Sequence, residues 1–334
     1  MKKNYNRLQF QERIEMEKLL SHNKNCTDIA IQLGRHKSTI SREINRLKMV
    51  DYSGMKSHFD ATIKSSNRKY EKTKMNKNPE LKKFIYDHLA IRWSPDQIVT
   101  SLKRKYPLDK TMQISIESIY FHIYLHTKSE LRKLLVSQLR QKRKIRGNTR
   151  RGVDKRSTIK DATRIDERPD EVLGRLIPGH WEGDLVMGKD RSTAIGTLVE
   201  RTTRTIIIVP LKKRDSESVR KAFEQEFKSI PRQMKKTLTY DNGTEMAQHK
   251  LFTKNTKIQV YFAHPYSPWE RPTNENSNGL IRDYFPSGTD FSLISKRRLK
   301  EVQNQLNERP RKVLGYQTPK EVFESYIIKT EILC

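Results

Sequence analysis

Before about residue 130 the apolar positions fall at helical spacing. Beyond Gly179 they gather into short runs of strand length, separated by amphipathic stretches. Residues 8–47 predict three short helices. The first, residues 11–22, carries Ile14, Leu19 and Leu20 on one stripe. Thr27 is placed to cap a second, DIAIQLG, which stops at Gly34, and a third, HKSTISREINRL, follows at once with Ile40 and Ile44 turned inward. Two short helices joined through a glycine turn, the second polar and basic, form the helix-turn-helix pattern, with Ala30, Gly34, Ile40 and Ile44 at its packing positions. Lys37, Ser38, Thr39, Ser41 and Arg42, near the start of the second helix of that pair, are the candidates for reaching base edges in the major groove. Residues 50–78 carry few apolar positions and many Lys, Ser and Asn, which reads as a basic linker. Residues 79–136 read as a second helical, helix-turn-helix-like domain. Ser94 caps and Pro95 opens one helix after Trp93, and Ser115 caps another, IESIYFHIY. A further basic linker spans residues 137–170; residues 140–160 hold ten Lys or Arg and one acid, Asp154.

Residues 171–334 change character. Strands are expected at 182–187, 194–200, 205–211, 236–240 and 258–262. Helices are expected at 215–229, 245–254, after Pro272, and at 296–308. That order, three strands and then alternating helices and strands, implies an α/β domain with a mixed five-stranded sheet covered by helices.

The candidate chemistry lies in three acidic residues. Asp184 interrupts the first of these strands, Asp241 follows the fourth, and Glu275 comes 34 positions after Asp241, near the start of a helix. Pro272 suits the first helical position and Thr273 could cap it. At 100° per residue Glu275, Asn278, Gly279 and Arg282 share one face; Leu280, Ile281 and Tyr284 share the other. Three carboxylates from two strands and a helix are a ligand set for hard divalent cations, and a pair of such ions stabilises attacking and leaving oxygens at phosphorus. The two aspartates can meet only if their strands are neighbours. Arg282 is a candidate for holding a phosphate. Glu182, on the same strand face as Asp184, reads either as an accessory ligand or, the preferred reading, as an exposed strand residue; Trp181 and Trp269 read either as base-stacking residues or, preferred, as core. Arg309 and Arg311 read either as DNA contacts or as charges at a helix end.

Net charge narrows the partner. The chain has 68 Lys and Arg against 39 Asp and Glu, a formal +29 over 334 residues, and that excess fits a polyanion such as nucleic acid. No apolar run is long enough to span a bilayer, no apolar core follows the basic start, and Cys26 and Cys334 form no metal or disulfide pattern. The expected location is cytoplasmic, at the nucleoid.

HWEGDLVMGK, AIGTLVERTTR, TYDNGTE, NENSNGLIRDYFPSGTDF and LNERPRKVLGYQTP together resemble the insertion-sequence transposases of the IS thirty family, as do LGRHKSTISREINR and WSPDQI nearer the start. The likeness covers nearly the whole chain. It implies an RNase H-like (integrase-type) catalytic core in which Asp184, Asp241 and Glu275 form a DDE triad, both catalytic and metal-binding. It also implies Mg²⁺ or Mn²⁺, as two ions, and double-stranded DNA as partner: the terminal inverted repeats of the element, and target DNA. Strand cleavage, strand transfer from a 3′-OH, and action as at least a dimer on DNA complete the expectation. One departure stands out: Arg271-Pro272-Thr273 has Pro where the family usually has Gly. The competing classes are a DNA-binding regulator with a dead catalytic fold, and a structure-selective nuclease on the same fold.

Overall fold

The computed structural model describes residues 7–46, 52–71, 73–126, 133, 135–137, 159, 161–265 and 267–332. The chain divides into two compact units, Met1–Phe84 and Ile85–Cys334.

In the first unit α1 (Phe10–Ser21), α2 (Cys26–Gln32) and α3 (Lys37–Ile44) close over Met16, Ile29 and Ile40, all fully buried, with Leu8, Leu19 and Ala30 around them. Gly34 turns the chain between α2 and α3 at φ +60°, a conformation that favours glycine. The cap of α2 is Asn25 rather than Thr27: its side chain accepts the Thr27 and Asp28 N–H groups. The segment expected to be an irregular basic linker is helical instead, as α4 (Gly54–Glu71). A buried carboxylate explains this. Glu43 on α3 takes the Arg13 guanidinium of α1 at 2.6 Å and the Ser57 hydroxyl of α4 at 2.5 Å, so three helices share one charge. The helical turn α5 (Lys74–Lys77) and α6 (Pro79–Ala90) follow.

In the second unit α7 (Pro95–Lys105) starts as expected, with Ser94 and Gln97 forming a reciprocal capping box. α8 (Ile116–Phe121) continues as a π-helix over His122–His126. Nearly all of the expected basic run at 140–160 lies outside the described residues.

Five strands then form one sheet in the order β3-β2-β1-β4-β5: β1 (His180–Met187), β2 (Ala194–Glu200), β3 (Ile206–Pro210), β4 (Thr237–Tyr240) and β5 (Gln259–Phe262). The first three are antiparallel; β4 lies parallel to β1, and β5 to β4. Every residue of β2 is buried, as befits a strand covered on both faces. One face seats Leu198, Ile207 and Val209 against α9 (Ser216–Lys228) and α10 (His249–Thr256), through Val219, Phe223, Phe227 and Phe252. The other seats Val186, Ile195, Val199, Ile206 and Ile208 against α11 (Pro272–Tyr284) and α12 (Lys296–Asn307). Gly183 lets the buried Tyr240 ring lie directly against β1, since a Cβ there would meet that ring at 2.8 Å. α13 (Pro319–Ile332) ends the described chain.

The start of α7, the first helix of the expected second helix-turn-helix pair, is occupied by protein. Gln97 donates to the Pro310 carbonyl at 2.7 Å and accepts from Arg309 Nε at 3.0 Å. Asp96 accepts the Tyr316 hydroxyl at 2.6 Å. Farther along, Arg104 donates to the Tyr316 carbonyl at 2.9 Å, and Tyr284 of α11 donates to the Ile91 carbonyl at 2.9 Å. Arg309 and Arg311 are therefore buried packing residues rather than DNA contacts, 2% and 9% exposed; Arg311 also donates to the Leu306 carbonyl. Gln97→Ala should lower the stability of the full chain by about 1–3 kcal/mol, because it strips partners from buried polar groups. Chemical denaturation followed by a probe in the Ile85–Cys334 unit measures this, and an unshifted midpoint would show that the contact contributes nothing.

Candidate active site

β1 and β4 are hydrogen-bonded neighbours, as convergence of the two aspartates requires. Their register pairs Glu182 with Thr239. Carried on two residues, it sets Asp184 level with Asp241, on strands about 4.8 Å apart. One guanidinium lies between the two carboxylates: Arg271 places Nη1 3.8 Å from Asp184 Oδ1 and Nη2 3.8 Å from Asp241 Oδ2. The same Nη1 donates to the Gly183 carbonyl at 3.0 Å.

α11 is fixed along β1 by matched spacings. Glu182, expected to be exposed, is fully buried; it accepts the Asn274 N–H at 2.8 Å and pairs with Arg201 at 3.1 Å. Two residues on, Asp184 accepts the Asn278 side-chain N–H at 2.7 Å. Two strand residues rise about 6.7 Å and four helical residues about 6.0 Å, so both contacts form together when helix and strand run side by side. At the far end Arg282 donates to the Met187 carbonyl at 2.5 Å, and burial lowers its pKa. Its charge thus sits between α11 and β1 rather than free on a surface. Pro272 is the first residue of the helix, where its missing N–H costs nothing. Thr273 does not cap: it is buried, and its hydroxyl accepts from Arg204 at 2.9 Å. Glu182, from the neighbouring strand, takes the role of cap, an anion where the helix dipole favours one.

Glu275 stands one turn after Arg271 and one turn before Asn278 on α11. Its side chain is exposed, and among the described residues no three acidic, His or Cys side chains form a metal-holding group. The pair Asp184–Asp241 is the part of the expected triad that the structure brings together. That pair suits a cation, since it already brackets one in Arg271.

Burial pushes the Asp184 carboxyl up to about 6; Arg271 opposes the shift, and Asp241 adds to it. Burial holds His180 down to about 4, and its Nδ1 lies 2.9 Å from the Thr237 hydroxyl, a packing role. Glu200, buried, accepts the N–H groups of Gly179, Thr202 and Thr203 and shapes the β2–β3 turn. Trp181 is core, with its indole N–H on the Met234 carbonyl at 2.7 Å. Trp269, expected in the core, is 71% exposed.

In the first unit the candidate base-reading residues all lie on or at the start of α3. Lys37 and Arg42 are exposed, and Ser38, Thr39 and Ser41 half-buried. Arg42 folds back to donate to the Ser38 carbonyl and hydroxyl, both at 2.9 Å. Arg271 and Asn278 were missed as site residues, while Glu182, which alternation puts on the face of Asp184, holds the start of α11. The helical face shared by Asn278 and Glu275 was the available signal for Asn278; nothing local marks Arg271.

Residues 177–268 match the integrase core domain, and residues 4–47 match a helix-turn-helix domain. Glu275 lies beyond the first of these spans. The chain is 40% identical over 330 residues to the transposase InsI for insertion sequence element IS30A of Escherichia coli (strain K12), covering 97% of this chain and 85% of that one. It is 38% identical to the transposase for insertion sequence element IS1086 of Cupriavidus metallidurans, covering 95% and 94%. With the transposase for IS4351 of Bacteroides fragilis it shares 36% identity, covering 91% of each.

The raised Asp184 pKa has a sign that can be checked without metal. The folded carboxyl titrates near 6 against an ordinary 3.8, so folding favours its protonated form; that stability is present below about pH 4 and is lost as pH rises through 6. Asp184→Asn mimics the protonated acid. In chelator it should match the wild type near pH 4 and exceed it by up to about 3 kcal/mol near pH 7.5. Thermal melts across that range read the difference, and a gap independent of pH would contradict the assignment.

Proposed function

The chain belongs to the IS30 (IS thirty) family of insertion-sequence transposases, with an integrase-type core and a DNA-binding helix-turn-helix region; on that premise we propose that Asp184, Asp241 and Glu275 form the site at which it cuts and joins DNA. The observation that carries this reading is the approach of Asp184, on β1, and Asp241, directly after the neighbouring strand β4, to one shared guanidinium.

Asn278 holds one oxygen of Asp184 and leaves the other facing Asp241 and Arg271. Glu275, one turn away on α11, is the third carboxylate, and its exposed side chain is free to turn toward the pair. Mg²⁺ or Mn²⁺ held by these residues, as two ions, would supply the charge that activates an attacking oxygen and stabilises the leaving one. The chain itself positions the reacting groups. Lys37, Ser38, Thr39, Ser41 and Arg42 read the terminal inverted repeat, and the net charge of +29 holds the flanking duplex through its phosphates. Water first hydrolyses a phosphodiester at the element end and frees a 3′-OH. That hydroxyl then attacks a phosphodiester of a second strand, and the 3′-oxygen of the broken strand departs. Joining two ends calls for at least two copies on the DNA, in the cytoplasm at the nucleoid.

Incubation of the purified protein with labelled element-end DNA and Mg²⁺ should yield both nicks and joined products. Asp184→Ala should lose them by at least about 10³-fold, in the range seen when a transition-state stabilising group is removed, while end binding by mobility shift persists. Cleavage surviving in Asp184→Ala would refute the assignment. Binding without cleavage by the wild type would identify a regulator, and nicking without joining would identify a nuclease.

A further inference from the structure

Beside the N-terminus of α11 lies a cavity of about 660 Å³, lined by Arg168, Arg175, Arg201, Trp269, Glu270 and Pro272 among others. Its volume falls in the range of about 300–1,000 Å³ typical of small-molecule sites. Two of its lining residues are tied to the proposed site: Pro272 follows Arg271, whose guanidinium brackets the two aspartates, and Arg201 pairs with Glu182, two residues before Asp184.

Its chemistry is uneven. Glu270 accepts both the His264 N–H, at 2.8 Å, and that ring's Nδ1, at 2.9 Å. Asp166 lies 3.0 Å from the other ring nitrogen. Of the three acids in the lining, Asp166, Asp170 and Glu270, two are thus committed to one histidine, whose pKa the Glu270 bond raises. The arginines are less fully used. Arg201, with its side chain 4% exposed, pairs with Glu182, yet its Nη1 is buried without a hydrogen-bond partner. Arg168 gives Nη1 to the Thr239 hydroxyl at 3.1 Å. At the rim stands Trp269, a large indole 71% exposed on a protein whose other described tryptophans, Trp93 and Trp181, are 8% and 0% exposed. A buried guanidinium without a full set of acceptors favours an anion with several oxygens. An exposed indole favours the face of a planar ring, and a base stacked on an aromatic side chain gains about 1–3 kcal/mol.

The geometry points to a pocket for one unstacked DNA nucleotide next to the scissile phosphate, with its base against Trp269 and its phosphate on Arg168, Arg175 and Arg201. Extruding that nucleotide opens the duplex beside the cut and fixes the strand's register over Asp184 and Asp241. The pocket reading rests on strand cleavage at that site, so its test separates binding from chemistry.

End DNA carrying 2-aminopurine, moved one position at a time across the nucleotides flanking the cut, is bound to the full-length protein in Ca²⁺ to report unstacking without cleavage; the same duplexes are then assayed in Mg²⁺. Emission should change at a single position, as for an extruded base. Trp269→Ala should alter the signal at that position alone, and Arg175→Gln should diminish it. Trp269 is exposed, so its removal spares the fold, and the unchanged signals at other positions serve as the control. A flat response at every position, or a response indifferent to both substitutions, overturns the pocket even if Mg²⁺ cleavage is intact. A localised, Trp269-dependent response without cleavage supports the pocket and instead counts against the cutting activity.

Discussion

The arrangement of the site depends on one buried carboxylate, that of Glu182. Taking a charge out of water costs several kcal/mol unless partners replace the lost hydration. Glu182 finds two: the Arg201 guanidinium and the Asn274 N–H at the first turn of α11. The second is a helix N-terminus, where orphan N–H groups and the dipole both welcome an anion. The strand therefore holds the helix by its end. With that end fixed, Asn278 falls beside Asp184 four helical residues on, and Arg282 reaches the end of β1. A single electrostatic tie thus places the helix that bears Glu275 along the strand that bears Asp184.

The centre that results is held in check by its own charges. Two carboxylates at neighbouring strand positions repel, and burial adds to the cost for Asp184. Arg271 offsets both by standing between them at 3.8 Å from each. A guanidinium can lend a carboxylate pair one positive charge, but it cannot polarise a phosphoryl oxygen as a divalent ion does. Arg271 also donates to the Gly183 carbonyl, so its position is set by β1 as well as by the acids. The same geometry that makes the pair suited to cations thus keeps it partly compensated, by one positive charge against two carboxylates, when only protein is present.

Support for the catalytic unit comes from the first helix of the expected second helix-turn-helix pair. A cap of Ser94 with Pro95 begins a helix well, yet says nothing about what faces its first turn. There the side chains of Asp96 and Gln97 meet the loop from Arg309 to Tyr316, and Tyr284 of α11 bonds the Ile91 carbonyl. The helix bearing Glu275 is therefore braced on one side by the sheet and on the other by the chain that precedes α7.

Much of this was legible in the order of residues. Run length located all five strands to within a residue or two, because a short continuous apolar run marks a strand covered on both faces. The helix-turn-helix followed from Gly34 and the spacing of Ala30, Ile40 and Ile44, and Pro272 marked the start of α11, because caps and turns are local. The two aspartates could be named, and the condition for their meeting stated. Which long-range partner a polar side chain would find was hidden. Glu182 accepts from a residue 92 positions away, Asp184 from one 94 away, and Gln97 bonds a carbonyl 213 away. Alternation tells which face Glu182 occupies, but not that a helix N-terminus and an arginine will lie on it. For the same reason Trp269 emerged on the surface, Arg309 in the interior and residues 54–71 as a helix: burial is fixed by what packs opposite, and only the folded chain supplies that.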